Sequence, residues 1–369
     1  MLCVTLTRIV TAYLAAKKHL VQVNFIFTLG QTLFVLLVLA AFAVTRTLSV
    51  VTVMFWWFVG ALATLLYCSW VLRREFAHFH RASAWSPKLI TEALLFSVPL
   101  LLFISGSWAM EIGNRYMLNG FLGSEAVGLF TLVYTLLGVI ATLGNIVAQT
   151  FFPYIAAAWN QRKNYQIYLN AAIKYSLIMV IPAMAGFLAL RTQLVTLVSG
   201  DAYREAANII PGLLLYPLLS GLCYILYQIV LLRRRTGLIG VTYGLGAALN
   251  IALNFVLIPR FAMTGAAIAT VASYALVFVV LAWAARKSIR PQYGFLKLGR
   301  ITLAAGIMGI AVWLFNPETA AMKIAAMLAG AALYFVLLFA FRVFSREERE
   351  LFGTVLPGPV KRLLPWLSS

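Results

Sequence analysis

Polar residues in this chain gather in short clusters, and ten apolar stretches run between them. Most stretches are about 18–25 residues, enough for a helix to cross roughly 30 Å of hydrocarbon. The predicted spans are Asn24–Val44, Ser49–Leu72, Ile90–Gly120, Ala126–Thr150, Leu169–Leu190, Ala206–Leu232, Thr236–Ile258, Thr264–Ala285, Leu298–Phe315 and Ala320–Phe341. The fold expected is therefore all-α, a polytopic membrane helix bundle of about ten transmembrane helices. Met1–Ala16 is apolar but too short to span, and it carries Arg8. It lacks the basic start and small-residue cleavage site of a signal peptide. It reads either as an interfacial helix or as the end of a further span.

Cations fall into every second gap. Lys17 and Lys18 mark the first basic region. Arg73, Arg74, Arg81 and Lys88 mark the second, and Arg162, Lys163 and nearby Lys174 the third. Arg233, Arg234 and Arg235 follow, then Arg286, Lys287, Arg290, Lys297 and Arg300, then a tail with Arg342, Arg346, Arg349, Lys361 and Arg362. These regions hold 22 of the 29 Lys and Arg, and the alternate gaps hold only Arg46, Arg191, Arg204, Arg260 and Lys323. Cytoplasmic loops are the ones enriched in Lys and Arg, so both termini are expected inside the cell.

Composition agrees with a membrane chain: 63% of residues are hydrophobic and 11% charged, against about 25% charged in soluble domains. The net charge of +19 is spread over short connecting gaps. It reads as a topology signal beside anionic lipid headgroups and not as a nucleic-acid footprint. Cys3, Cys68 and Cys223 have no metal-ligand or disulfide spacing, and no cofactor or metal is expected. No gap is long enough for a soluble catalytic domain. The gap Arg73–Leu89 could lie as an interfacial segment carrying His78, His80 and Trp85.

Polar groups inside the spans are the candidate site residues. Glu111 and Arg115, four apart, share one helix face beside Asn114, Tyr116 and Asn119. A charge held in hydrocarbon costs several kcal/mol, so such residues normally face a protein interior or a water-filled cavity. Three readings fit Arg115: it lines a substrate cavity with Glu111 orienting it, it forms an internal ion pair, or it snorkels to an interface close to Gly120. The next span adds Tyr134, Asn145 and Gln149, the last two again four apart. Asn250, Asn254 and Gln228 fit interhelical hydrogen bonds. Trp108, Tyr116 and Tyr134 could stack on sugar rings, with ordinary aromatic packing as the plainer reading. Pro99, Pro182, Pro211 and Pro217 fall within helical runs, either as packing variety or as bends. Gly240, Gly244 and Ala248, spaced by four, form a stripe that admits a close neighbouring helix.

The run Asn114–Phe130, preceded by Phe96-Ser97-Val98-Pro99-Leu100, resembles the hallmark of the polysaccharide flippases of the multidrug/oligosaccharidyl-lipid/polysaccharide exporter superfamily. Asn250–Pro259 followed by Gly265–Thr270 is similar to a second stretch of that family. The resemblance covers roughly Ala16 to Ala285. It implies two six-helix lobes around a cationic cavity, and a substrate of undecaprenyl-diphosphate-linked oligosaccharide flipped across the bacterial inner membrane during polysaccharide or O-antigen assembly. The family's acidic residue aligns with Asn114, so Glu111 is expected to substitute for it. The resemblance also implies that the family's first three spans and most of its fourth are absent, so that residues 1–89 are a remnant of the first lobe. Residues 90–290 then form the six-helix second lobe, and residues 291–369 two further helices and a basic tail. On that expectation the chain does not flip substrate by itself.

A diphosphate-linked glycan is large and anionic, and moving its head through a bilayer calls for a polar cavity with cations replacing phosphate hydration. The expected cavity residues are Arg115, Glu111, Asn114, Tyr134, Asn145 and Gln149. The expected partners are a lipid-linked oligosaccharide, membrane lipids and polysaccharide-assembly proteins. The alternatives are a multidrug exporter of the same fold, for which only Glu111 offers a membrane-embedded acid, and a membrane glycan polymerase or ligase. The latter lacks support in paired carboxylates, so the chain is read as a transporter and not an enzyme.

The charge alternation fixes a testable topology. Reporter fusions after Lys18, Arg81, Lys163, Arg235 and Arg290 are expected to read cytoplasmic. Those near Arg46, Ser124, Asp201, Arg260 and Glu318 are expected to read external. Two adjacent sites on one side would remove the ten-span arrangement.

Overall fold

The structure, a computed structural model, describes residues 20–45, 49–76, 86–289, 295–315 and 319–344, with Leu6, Thr7, Val10 and Thr11. His78, His80, Trp85, the pair Lys17 and Lys18, most of Met1–Ala16 and the tail cations from Arg346 onward lie outside the described residues. Every regular element among those described is helical. Hydrocarbon offers the backbone no hydrogen-bond partner, and a helix satisfies each peptide group internally.

The chain divides into two compact units at Ser86/Pro87. In the first, α1 (Leu20–Thr45) pairs with α2 (Val50–Phe76). Ile26, Cys68 and Val71 are buried together with Val10, and Phe25 packs on Tyr67 at 5.4 Å between ring centres. The Ser49 hydroxyl caps α2 by accepting from Thr52 N.

The second unit contains α3 (Pro87–Leu122), α4 (Ser124–Asn160), α5 (Gln166–Ala189), α6 (Arg191–Ser199) and a 3₁₀ segment, Asp201–Asn208. It continues with α7 (Ile210–Leu213), α8 (Tyr216–Leu232), α9 (Thr236–Ala285), α10 (Phe295–Phe315) and α11 (Ala320–Ala340). Among the described residues, eight helices are long and apolar enough to cross a membrane, and α1 carries a shorter apolar run, Thr32–Ala43.

Two predicted spans, Thr236–Ile258 and Thr264–Ala285, appear as the single α9, broken at Ala262 (φ 50°, ψ −135°). The chain reverses there, since Gly246 in the first half lies against Ser273 and Val277 in the second. The predicted span Ala206–Leu232 also differs: it is split among the 3₁₀ segment, α7 and α8. Pro211 and Pro217 therefore do not kink a helix. Each stands in the first turn of its helix, where the missing N–H has no partner to lose. Pro99 and Pro182 do lie inside α3 and α5.

The α9 hairpin is the anchor for α3. Gly240 abuts the carbonyl oxygen of Pro99, and a Cβ on Gly106 would sit 2.7 Å from the Tyr243 carbonyl oxygen. With the backbones this close, polar side chains meet between them. Asn254 Nδ2 donates to Asn114 Oδ1 at 2.7 Å and to Asn250 Oδ1 at 3.1 Å. Asn114 Nδ2 donates to Thr270 Oγ1 at 2.9 Å and to the Met110 carbonyl at 3.0 Å. All four side chains are fully buried, so this knot fixes the register of α3 against both arms of the hairpin. Elsewhere α10 and α11 pack on α5 through Ile178, Ile301, Met308, Val312 and Tyr334, whose hydroxyl donates to the Ile178 carbonyl at 3.0 Å.

The basic turns of this unit gather at one end. Tyr165 and Gln166, just after Arg162 and Lys163, both donate to the Ser288 carbonyl, and Arg233 Nη1 donates to the Ala284 carbonyl at 3.0 Å. Three helices end with an arginine at the left-handed position: Arg162 (φ 55°), Arg234 (φ 55°) and Arg342 (φ 52°). Lys163 N, Arg235 N and Val343 N close the turns onto Ala158, Val230 and Leu338 carbonyls. These are Schellman-type caps in which a cation beside the negative helix end replaces the usual glycine.

The contact at Gly240 gives the sharpest test of this packing. Gly240→Val is expected to destabilise the purified protein by at least about 1–3 kcal/mol, the usual cost of overpacking. Gly237→Ala, with nothing near its Cβ, is the control. Thermal unfolding in detergent reads both, and equal stability of the two variants would contradict the close α3–α9 approach.

Candidate functional site

Three helices of the second unit each carry a polar stripe, and the stripes adjoin. On α3, Ser107, Glu111 and Arg115 recur every four residues and are exposed or half-buried. On α4, Thr131, Tyr134, Gly138, Asn145 and Gln149 fall within about 60° of one another at 100° per residue. On α8, Tyr216, Ser220 and Tyr227 fall on one flank, with Tyr224 beside them.

Aromatic contacts stitch these stripes together. Tyr134 of α4 stacks on Tyr216 of α8 at 4.9 Å between ring centres, and Tyr216 meets Tyr274 of α9 at 5.1 Å. Phe103 of α3 stacks on Tyr227 at 4.7 Å and meets Tyr243 edge-on at 4.6 Å. The Glu111 carboxylate lies within electrostatic reach of the hydroxyls of Tyr134, Tyr216 and Tyr274. Glu111, Tyr134, Tyr216 and Tyr274 therefore share one neighbourhood.

Several polar atoms here are sealed from solvent with no hydrogen-bond partner: Arg115 Nε, Thr131 Oγ1 and Asn145 Oδ1. Buried polar atoms in folded proteins are normally satisfied by protein or by ordered water. Three such atoms on the α3 and α4 stripes are suited to water or a polar ligand, and Asn250 Nδ2 and Asn254 Oδ1 of the knot are likewise without a partner. Arg115 Nε reaches neither Glu111 nor any other acceptor.

Of the six sequence-predicted site residues, Glu111, Arg115, Tyr134, Asn145 and Gln149 lie on these stripes. Asn114 does not: it is fully buried in the knot against α9. Tyr116 is 71% exposed and points about 140° around α3 from Glu111, away from the stripe. The sequence reading overlooked Ser107, Thr131, Ser220, Tyr224 and Tyr227. Their signal is helical spacing, Ser107-Glu111-Arg115 and Tyr216-Ser220-Tyr224, which hydropathy hides because tyrosine counts as apolar. The opposite flank of α4 borders an apolar groove of about 390 Å³, lined by residues such as Ile140, Pro182, Phe187, Met308 and Tyr334. The helix thus separates a polar surface from an apolar one.

Comparison with known proteins bears on the family and the fold. A family model described as polysaccharide biosynthesis protein matches residues 1–159. The chain is 24% identical over 190 residues to the probable low-salt glycan biosynthesis flippase Agl15 of Haloferax volcanii, a match covering 51% of this chain and 40% of that protein. It is 23% identical over 235 residues to the uncharacterized membrane protein MJ1068 of Methanocaldococcus jannaschii, covering 62% of this chain and 46% of that one. It thus spans less than half the length of the curated relatives it matches. Among solved structures, the inward closed lipid II flippase MurJ shares the fold, with a TM-score of 0.64 at 14% identity over 85% of this chain and 66% of that chain. These findings bear out the resemblance to the polysaccharide and lipid-linked flippase family.

Proposed function

We propose that this chain forms part of a transporter that moves a lipid-linked glycan across a membrane, with the polar stripes of α3, α4 and α8 as one wall of the path. The observation that carries this reading is the unpartnered buried polar atoms of that wall, Arg115 Nε, Thr131 Oγ1 and Asn145 Oδ1. A glycan head offers hydroxyls and a diphosphate, which are the groups such atoms would satisfy. Arg115 is the cation placed to meet a phosphate, and Glu111 is the acid placed to return the charge balance when the head has left. Tyr224 and Tyr227 present half-buried rings, suited to stacking on sugar faces. Asn114 supports the wall from behind by holding α3 on α9.

The substrate proposed is an isoprenoid-diphosphate-linked oligosaccharide, undecaprenyl-linked if the membrane is a bacterial inner membrane, used in polysaccharide assembly alongside the proteins that build the polymer. The flippase name of one relative and the polysaccharide description of the family model support this class. The basic end of the bundle is proposed to be cytoplasmic.

Substitution of Arg115 in the chromosomal gene tests the reading. Arg115→Ala is expected to cut glycan translocation at least tenfold while the protein still accumulates in the membrane. Arg115→Lys is expected to restore part of it, because charge survives and bidentate geometry does not. Translocation is read as the share of lipid-linked glycan left accessible on the cytoplasmic face. Full activity in Arg115→Ala, or a loss that only tracks protein level, would contradict the assignment.

A further inference from the structure

The basic end of the second unit holds a feature that substrate movement does not explain. Arg233 and Arg235, in the turn between α8 and α9, meet Arg286 and Lys287 at the end of α9 around a cavity of about 180 Å³. Trp283 and Ala284 complete its lining, and no acidic residue takes part. Two of these cations are held by the protein, while Arg235 and Lys287 are exposed. Arg233 Nη1 donates to the Ala284 carbonyl at 3.0 Å, which ties the α8–α9 turn to the end of α9. The Arg286 guanidinium lies over the Trp283 ring, 4.6 Å from its centre. Arg234 takes the left-handed position of the α8 cap and stands outside the cavity lining, which leaves Arg233 and Arg235 on it.

Four cations around one small cavity repel one another, and an anion among them relieves that repulsion. A phosphate oxygen accepts from guanidinium and ammonium alike, and a planar arginine fork can grip it with two bonds. The level of the site points to where that phosphate comes from. It lies where the apolar run of α9 stops, and Trp283, 57% exposed, is the kind of aromatic residue that anchors helices at headgroup depth. Basic pockets between membrane helices at this level are suited to anionic lipid headgroups.

We propose that the pocket formed by Arg233, Arg235, Arg286 and Lys287 against Trp283 binds the phosphate of an anionic lipid headgroup. Its occupancy fastens the α8–α9 turn to the end of α9, and it is separate from the polar wall of α3, α4 and α8.

The test is thermal unfolding of the purified chain in detergent with added phosphatidylglycerol, phosphatidylcholine or inorganic phosphate. Phosphatidylglycerol is expected to raise the unfolding temperature and phosphatidylcholine to leave it nearly unchanged. Arg235→Gln/Arg286→Gln/Lys287→Gln is expected to unfold normally without lipid and to respond to phosphatidylglycerol with an apparent affinity on the order of 100-fold weaker. This variant keeps Arg233 and its bond to Ala284. Arg162→Gln/Lys163→Gln removes charge from another turn at the same end and is expected to respond as the unmodified chain does. An unchanged response in the pocket variant, or an equal loss in the Arg162/Lys163 variant, would overturn the site in favour of diffuse attraction. Stabilisation by inorganic phosphate equal to that by phosphatidylglycerol would overturn the lipid as its source. Should the triple variant not accumulate, Lys287→Gln, which alters one exposed side chain, carries the same comparison.

Discussion

Hydrocarbon accepts no hydrogen bonds, and that constraint governs where the described polar groups of this chain sit. Backbone groups are closed within helices. Side-chain polar groups then have two acceptable places: enclosed against one another, or facing water inside the protein. The second unit uses both. Asn114, Asn250, Asn254 and Thr270 are enclosed, and they close the contact between α3 and the α9 hairpin. Ser107, Glu111, Arg115, Asn145 and Gln149 are not enclosed to the same degree, and they form the surface to which a polar ligand can come.

The two arrangements depend on each other through α3. Gly106 and Gly240 bring the backbones of α3 and α9 together, and the asparagine knot sets how α3 is rotated and how far it slides. Buried amide bonds of this kind are each worth only about 0.6–2 kcal/mol in membranes. Their effect lies in register: with Asn114 turned inward, Glu111 and Arg115 are carried round to the flank facing α4 and α8. Asn114 thus acts through packing, while Glu111, one turn earlier on α3, lies exposed.

Much of the bundle was legible in the sequence because length and hydropathy alone define a span. Leu298–Phe315 and Ala320–Phe341 match α10 and α11 almost end to end. Cation alternation also foretold that the turns at Arg162, Arg233–Arg235 and Arg286 share one end. What hydropathy could not show was backbone geometry. The break at Ala262 and the helix starts at Pro211 and Pro217 depend on local dihedrals inside continuous apolar runs. The site was half legible. Charges and amides in apolar helices announce themselves, which found Glu111, Arg115, Asn145 and Gln149. The α8 tyrosines did not, because their rings read as core until Phe103 and Tyr134 are seen stacked on them.

On the proposed reading, the flank of α3 and α4 bearing these residues faces water while the remaining apolar surface faces lipid. Single cysteines at Ser107, Asn145 and Gln149 measure this directly, through their rates of reaction with a membrane-impermeant thiol reagent in the native membrane. Cysteines at Val279 and Leu328, 61% and 68% exposed on apolar helix faces, give the lipid-facing reference. The three stripe positions are expected to react at least tenfold faster than the reference pair and to be protected by added lipid-linked glycan. Equal, slow reaction at all five positions would contradict it.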